Sequence, residues 1–233
     1  MHYNRGVPDE TFRPATTLKR DHFGRIERGI FVDADGREHE AVRRDTRGCP
    51  LWTRAFARLL LAKEARVLDA LAGAPWVPQP LSRHRDHLVR GWIDGQAMQD
   101  AGRADATRLS ITYFREARRL LVAMHRRCIT HNDLAKEPNW LVDAEGHPAL
   151  IDFQLARVSP RRSWAFRMMA REDLRHLLKH KRTYQPAALT ARERALLAAP
   201  SGPARFHRQV VKPVYTLITR RLMNWQDREG RGR

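Results

Sequence analysis

Apolar positions follow two spacings along the chain. Between residues 16 and 44 they come in short strand-like runs. Ile26, Ile30, Phe31 and Val32 lead into Asp33-Ala34-Asp35-Gly36, a turn signal, and Glu38 to Arg44 reads as the returning strand. The period then changes. Trp52, Phe56, Leu59, Leu60, Lys63, Val67, Leu68 and Leu71 recur at helical spacing, and Gly73-Ala74-Pro75 stops the run. A strand pair is expected near 80–84 and 87–93, carrying Leu88, Val89, Trp92 and Ile93. A long amphipathic helix is expected from about Ala106 to Cys128, with Leu109, Phe114, Ala117, Leu120, Leu121 and Met124 inward and five arginines outward. Trp140-Leu141-Val142 and Ala149-Leu150-Ile151 flank the turn Asp143-Ala144-Glu145-Gly146 as a short hairpin. Beyond Pro160 the pattern is helical and basic, broken by Pro186, Pro200, Pro203 and Pro213. Strands gathered early and helices gathered late predict an α+β fold.

Composition narrows the class. The 233 residues are 42% hydrophobic, enough apolar material for a core, so wholesale disorder is excluded. Cys49 and Cys128 stand alone, which argues against a disulfide scaffold or a cysteine zinc site and for a reducing compartment. The first twenty residues carry no apolar h-region, and no run approaches the ~18 apolar residues of a membrane span. A cytoplasmic protein is expected, with peripheral contact at the inner face of the membrane as an option. The formal charge is +18, and 38 of the 44 basic residues are arginine, an excess that genomic base composition can also produce. Residues 157–182 hold nine Lys/Arg against two acids, and residues 200–233 hold eight against two. An anionic partner fits this surface: an acidic or phosphorylated acceptor, an anionic membrane or RNA. The last segment also carries an apolar stripe, Val210, Val211, Val214, Tyr215, Leu217, Ile218, Leu222, Met223 and Trp225, read mainly as packing on its own domain.

The stretch that carries chemistry is Thr130-His131-Asn132-Asp133-Leu134-Ala135-Lys136-Glu137-Pro138-Asn139, followed by Ile151-Asp152-Phe153-Gln154 at the end of the hairpin. It sets a carboxylate, an amide and an ammonium in one loop, with a second carboxylate on a rigid support beside it. Asp with Asn offers hard oxygen ligands, which suit Mg²⁺ better than zinc. A carboxylate not used by the metal can take the proton of a hydroxyl nucleophile. Lysine can neutralise a transferring phosphoryl group. These residues point to Mg²⁺-assisted phosphoryl transfer. No G-x-x-x-x-G-K-[ST], G-x-S-x-G or H-E-x-x-H is present.

The sequence resembles the protein-kinase-like superfamily. His131-Asn132-Asp133 is similar to H-R-D, Asn139 to the downstream metal-binding asparagine, and Asp152-Phe153-Gln154 to D-F-G. The resemblance implies ATP and Mg²⁺ as cofactors, Asp133 as catalytic base, Lys136 as the lysine on the γ-phosphate, and Asn139 with Asp152 as metal ligands. It also implies Arg43 in place of the strand lysine, paired with Glu64 on the first long helix, and Gly24 at the loop over the nucleotide. Asp173 would brace the catalytic loop from a later helix. The interval from Asp133 to Asn139 is one residue longer than the pattern, with the extra residue placed around Lys136-Glu137-Pro138, and Gln154 replaces the glycine.

No A-P-E follows Asp152, and the expected C-lobe is short. The layout resembles the small atypical branch, RIO-type protein kinases and bacterial lipopolysaccharide sugar kinases. The implied architecture is bilobal: an N-terminal extension over 1–15, a strand-rich N-lobe over 16–95, a helical, shortened C-lobe over 96–227 and a basic tail over 228–233. The implied activity is that of a RIO-like Ser/Thr protein kinase. An envelope sugar kinase and a catalytically impaired pseudokinase serving as a basic binding module are the alternatives.

Overall fold

The computed structural model describes residues 12–199. The apolar stripe of 210–225 and the basic tail lie outside the described residues, as do residues 1–11 of the expected extension.

The N-terminal half is one five-stranded antiparallel sheet. Strands β1 (Phe12–Asp21), β2 (Gly24–Val32), β3 (Glu38–Asp45), β4 (Pro80–Arg83) and β5 (His87–Gly91) stack in the order β1-β2-β3-β5-β4. Strand β1 starts at Phe12, inside the stretch expected to precede the lobe, because Phe12 pairs with Phe31 and packs with Ala41 and Val89 under one face of the sheet. The Asp33 carboxylate accepts the backbone N–H groups of Asp35 and Arg37, which fixes the turn into β3. Helix α1 (Leu51–Ala70) crosses from β3 to β4 and buries Leu61, Ala65, Val67 and Leu68.

The second half is mainly helical: α2 (Met98–Ala104), α3 (Ile111–Arg126), α4 (Trp164–Tyr184) and α5 (Ala191–Ala198). Ser110, Ser163 and Thr190 cap α3, α4 and α5 by accepting a backbone N–H of the first turn. Between α3 and α4 run short strands β7 (Ile129–Thr130), β8 (Trp140–Val142), β9 (Pro148–Leu150) and β10 (Arg157–Val158). Strand β6 (Gln96–Ala97) joins the β8–β9 hairpin, and β10 pairs with β7. The larger apolar core is continuous through both halves, from Leu68 of α1 and Leu71 just after it through Tyr113 and Leu121 of α3 to Trp140, Leu150 and Phe153. The α+β class and the split into a strand-rich and a helical part agree with the expectation. The β6, β7 and β10 pieces, two residues each, carry no periodic signal.

Candidate active site

The loop after β7 holds the expected residues in one hydrogen-bonded group. Lys136 Nζ donates to Asp133 Oδ2 at 2.8 Å. Asn139 Nδ2 donates to the same oxygen at 3.1 Å and to the Asp133 carbonyl at 2.9 Å. Asn139 thereby spends its nitrogen on Asp133 and keeps its amide oxygen for another partner. The β8–β9 register carries the second carboxylate in. Trp140 lies opposite Leu150, and one step further the Ile151 N–H donates to the Asn139 carbonyl at 3.1 Å, so Asp152 follows directly on that bond. Asp152 has φ 63° and ψ 68°, in the left-handed region. A non-glycine residue held there, next to a bend, marks a constrained site.

Three further contacts lock this loop. His131 is fully buried, stacks obliquely on Phe153 and donates Nε2–H to the Ile151 carbonyl at 3.0 Å. Burial lowers its pKa, against the raising effect of Asp173 and that hydrogen bond. Asp173, buried in α4, accepts the backbone N–H groups of His131 and Asn132 at 2.9 and 3.0 Å, and His125 Nε2 lies 3.1 Å from its Oδ2. Asp173 thus holds the loop from the helix expected of it. Asn132, also at positive φ (66°), donates Nδ2–H to the Leu155 carbonyl and ties the loop to the turn after Asp152.

The stretch around Lys136-Glu137-Pro138, where the loop is one residue longer than the motif, is anchored to α4. Glu137 opens the short 3-10 turn Glu137–Asn139, and its Oε2 accepts the Tyr184 hydroxyl at 2.6 Å. His180 Nε2 donates to the Leu134 carbonyl at 2.8 Å. Asp173, His180 and Tyr184 recur at seven and four residues along α4, so one helix face grips the loop at three points.

The sheet side departs from expectation. Arg43 does not reach Glu64. It stands opposite Glu27 across β2–β3, and Arg43 Nη2 donates to Glu27 Oε2 at 2.9 Å, with its guanidinium over the Phe12 ring. Side chains alternate along a strand, so the next residue points to the other face. That residue, Arg44, pairs with Glu64 of α1, Nη1 to Oε2 at 3.5 Å. Glu64 also contacts Arg90 of β5. The ion pair assigned to Arg43 therefore belongs to Arg44, and a second arginine accompanies it.

Gly24 has φ 131°, and a Cβ there would run into the Asp45 carbonyl. The turn's own packing against β3 accounts for this glycine, and its nucleotide role rests on the resemblance alone. Sequence reasoning passed over Arg44, Arg90, Asn132, His180 and Tyr184. Only the α4 trio left a legible signal, its spacing.

The donor set can be tested against Mg²⁺. Asn139 and Asp152 offer oxygen atoms only, and no group of three His, Cys, Asp or Glu suited to a metal exists among the described residues. One carboxylate and one amide oxygen fit an ion that keeps several waters and takes its remaining ligands from substrate phosphates.

No helix of the described residues is long and apolar enough to cross a membrane. A search of the curated proteins finds no match. The family model of the RIO domain matches residues 22–193, from the first hairpin to α5.

Proposed function

We propose that this chain, which belongs to the RIO domain family, is a Mg²⁺-dependent Ser/Thr protein kinase acting on an acidic or phosphorylated protein. The family is one of kinase-like, ATP-using phosphotransferases, so ATP binding and kinase activity hold at that level. The finer reading concerns the acceptor and the residues. Asp133, held by Lys136 and Asn139, orients the acceptor hydroxyl and takes its proton as oxygen attacks the γ-phosphorus. Lys136, mostly exposed beside it, stabilises charge on the phosphoryl oxygens. Asn139 and Asp152 would hold Mg²⁺. When bound, the ion neutralises phosphate charge and fixes the phosphate chain. Arg44 takes the nucleotide-side role first given to Arg43. The observation that carries this reading is the convergence of Lys136 and Asn139 on one oxygen of Asp133.

The acceptor follows from charge. Arg157, Arg161, Arg162 and Arg167 are all exposed just past the Asp152 turn, and such a rim favours an acidic substrate. The test is γ-phosphate transfer from ATP with Mg²⁺ to acidic Ser/Thr peptides and to lipopolysaccharide-type sugars, for the parent, Asp133→Ala and Asp152→Ala. Peptide labelling by the parent alone supports the proposal. Labelling of sugar alone moves the acceptor to the envelope sugar kinases. Equal activity in all three proteins removes the assignment of Asp133 and Asp152.

A further inference from the structure

Three charged side chains of the sheet half are almost wholly withdrawn from water: Arg44 (5% exposed), Arg90 (11%) and Glu64 (0%). Two cations share one carboxylate, and they share it unequally. Arg90 Nη1 is in direct contact with Glu64 Oε1. Arg44 Nη1 stands 3.5 Å from Oε2, too far for a good hydrogen bond. Arg44 Nε and Nη1, Arg90 Nη1 and both Glu64 oxygens are all buried without a hydrogen-bond partner among the described residues, so the three groups meet as an ion cluster in which Arg90 stands the nearer to the carboxylate. Burial of an ionised donor without a partner is costly. The negative charge of Asp152 acts favourably on both guanidiniums. Burial still lowers the pKa of both, that of Arg90 to about 10, with Arg44 adding to the shift. Once Asp152 shares its charge with a metal ion, Glu64 would be the main counter-charge of Arg90, while Arg44 would still feel Asp21.

We infer that Arg90 is a positioning residue: it occupies Glu64 and so leaves the Arg44 guanidinium for the phosphate oxygens of the nucleotide. The inference rests on the ATP reading above. Its physical ground is the difference between the two cations a strand can offer. A lysine ammonium is a rotatable point charge that can serve a carboxylate and a phosphate together. A guanidinium is planar and rigid, so an edge that closes on a carboxylate fixes the plane of the whole group and limits which phosphate oxygens its other donors can meet. An arginine at the strand position therefore works best when something else holds the helix carboxylate. Arg90 does so from the adjacent strand, where it stands opposite Val42. The longer separation of Arg44 from Glu64 is what this division of labour leaves behind.

Arg90→Met removes the brace while keeping apolar volume, and it should let Arg44 close on Glu64. We expect KM for ATP to rise about tenfold, the loss of one charge-assisted hydrogen bond, with a smaller change in kcat. Arg90→Lys should recover most of this. In a Glu64→Gln background, Arg90→Met should add little, because Arg44 then has no carboxylate to close on. An unchanged KM in Arg90→Met overturns the inference in favour of a purely structural arginine. A rise undiminished in the Glu64→Gln background overturns it in favour of direct contact between Arg90 and nucleotide.

A readout without catalysis separates this inference from the ATP reading. Thermal unfolding with and without inorganic tripolyphosphate should show a rise in Tm for the parent. The rise should be smaller in Arg90→Met and Arg44→Met and restored in Arg90→Lys. That pattern in a parent without ATP turnover upholds Arg90 while the kinase reading fails. The same rise in every variant, or none in the parent, rejects Arg90 whatever the turnover.

Discussion

The two halves of the site hold their charges in opposite ways. Around the loop after β7, two carboxylates receive short hydrogen bonds: Asp133 from Lys136 and Asn139, and Asp173 from two backbone N–H groups. In the sheet, Glu64 meets two guanidiniums, and among the described residues no hydrogen bond reaches either of its oxygens. The first half is preorganised by the chain alone, so its geometry persists without a ligand. The second keeps buried arginine nitrogens and carboxylate oxygens without hydrogen bonds, and the proposed nucleotide role falls there. Substitutions in the first half should cost catalysis and stability together. Those in the second should be read mainly in nucleotide binding.

The largest effect expected is at Asp133. Asp133→Ala should lower turnover at least ~10²-fold and also lower Tm, because Lys136 and Asn139 lose their shared acceptor. Single-turnover phosphoryl transfer to the peptide and a thermal melt check it, and a loss of turnover below tenfold would break the contrast at its strong end. The sharper test sets neighbours against each other. Arg44→Ala should raise KM for ATP about tenfold, the worth of one charge-assisted contact. Arg43→Ala should leave KM within about twofold and act on stability, by the ~1 kcal/mol of a buried cross-strand pair. Reversed outcomes would return the nucleotide role to Arg43.

Asp173 tests how the loop is held. Asp173→Ala leaves the His131 and Asn132 N–H groups buried without an acceptor, at a cost of at least ~2 kcal/mol. Denaturant unfolding reads that loss. Asp173→Asn keeps one carbonyl acceptor and should lose about half as much. The same region sets an acid limit. Burial lowers the pKa of His131, and it lowers that of His176 to about 4, helped by Lys179. The unfolded chain takes up protons near pH ~6.5, before the folded one does. Stability is therefore full above that pH and falls as pH drops toward 4. Tm measured from pH 7.5 down to 4.5 should show the fall, and His176→Gln should reduce it.

How much of this was legible in the sequence follows from the physics of each half. The loop residues were readable because their chemistry sits at fixed spacing on short local elements: His131 to Asn139 in one loop, Asp152 one hairpin later. The helices were readable because one apolar face recurs at 3.6 residues. Arg44 and Arg90 were not, because their role depends on which face of a strand each side chain takes. A register shift of one residue reverses that, and two adjacent arginines give no hydrophobic alternation to fix it. The basic cluster of 157–182 was only half legible. Arg175 is turned inward to cap α5 through the Leu196 and Ala199 carbonyls, and Lys181 pairs with Glu193. Those two charges serve packing, whereas Arg157, Arg161 and Arg167 are exposed.

The smallest expected effect concerns Glu137, in the stretch where the loop runs one residue longer than the kinase motif. If Glu137 were slack in the loop, its contact with Tyr184 would be incidental and its removal silent. The geometry argues otherwise. The 2.6 Å bond from the Tyr184 hydroxyl to Glu137 crosses from α4 to the loop after β7. Burial, with Glu137 adding, pushes the Tyr184 pKa up to about 12, so the phenol stays a donor across the working pH range. Tyr184→Phe removes the donor and little volume. It should cost about 1 kcal/mol, a partly exposed hydrogen bond to a charged acceptor. Turnover should fall only a few-fold, because Asp173 and His180 still hold the loop. Glu137→Gln keeps an acceptor for the hydroxyl and should cost less than Tyr184→Phe. A double variant no worse than Tyr184→Phe alone would show that the pair acts as one tether, and additive losses would show that the two residues act separately.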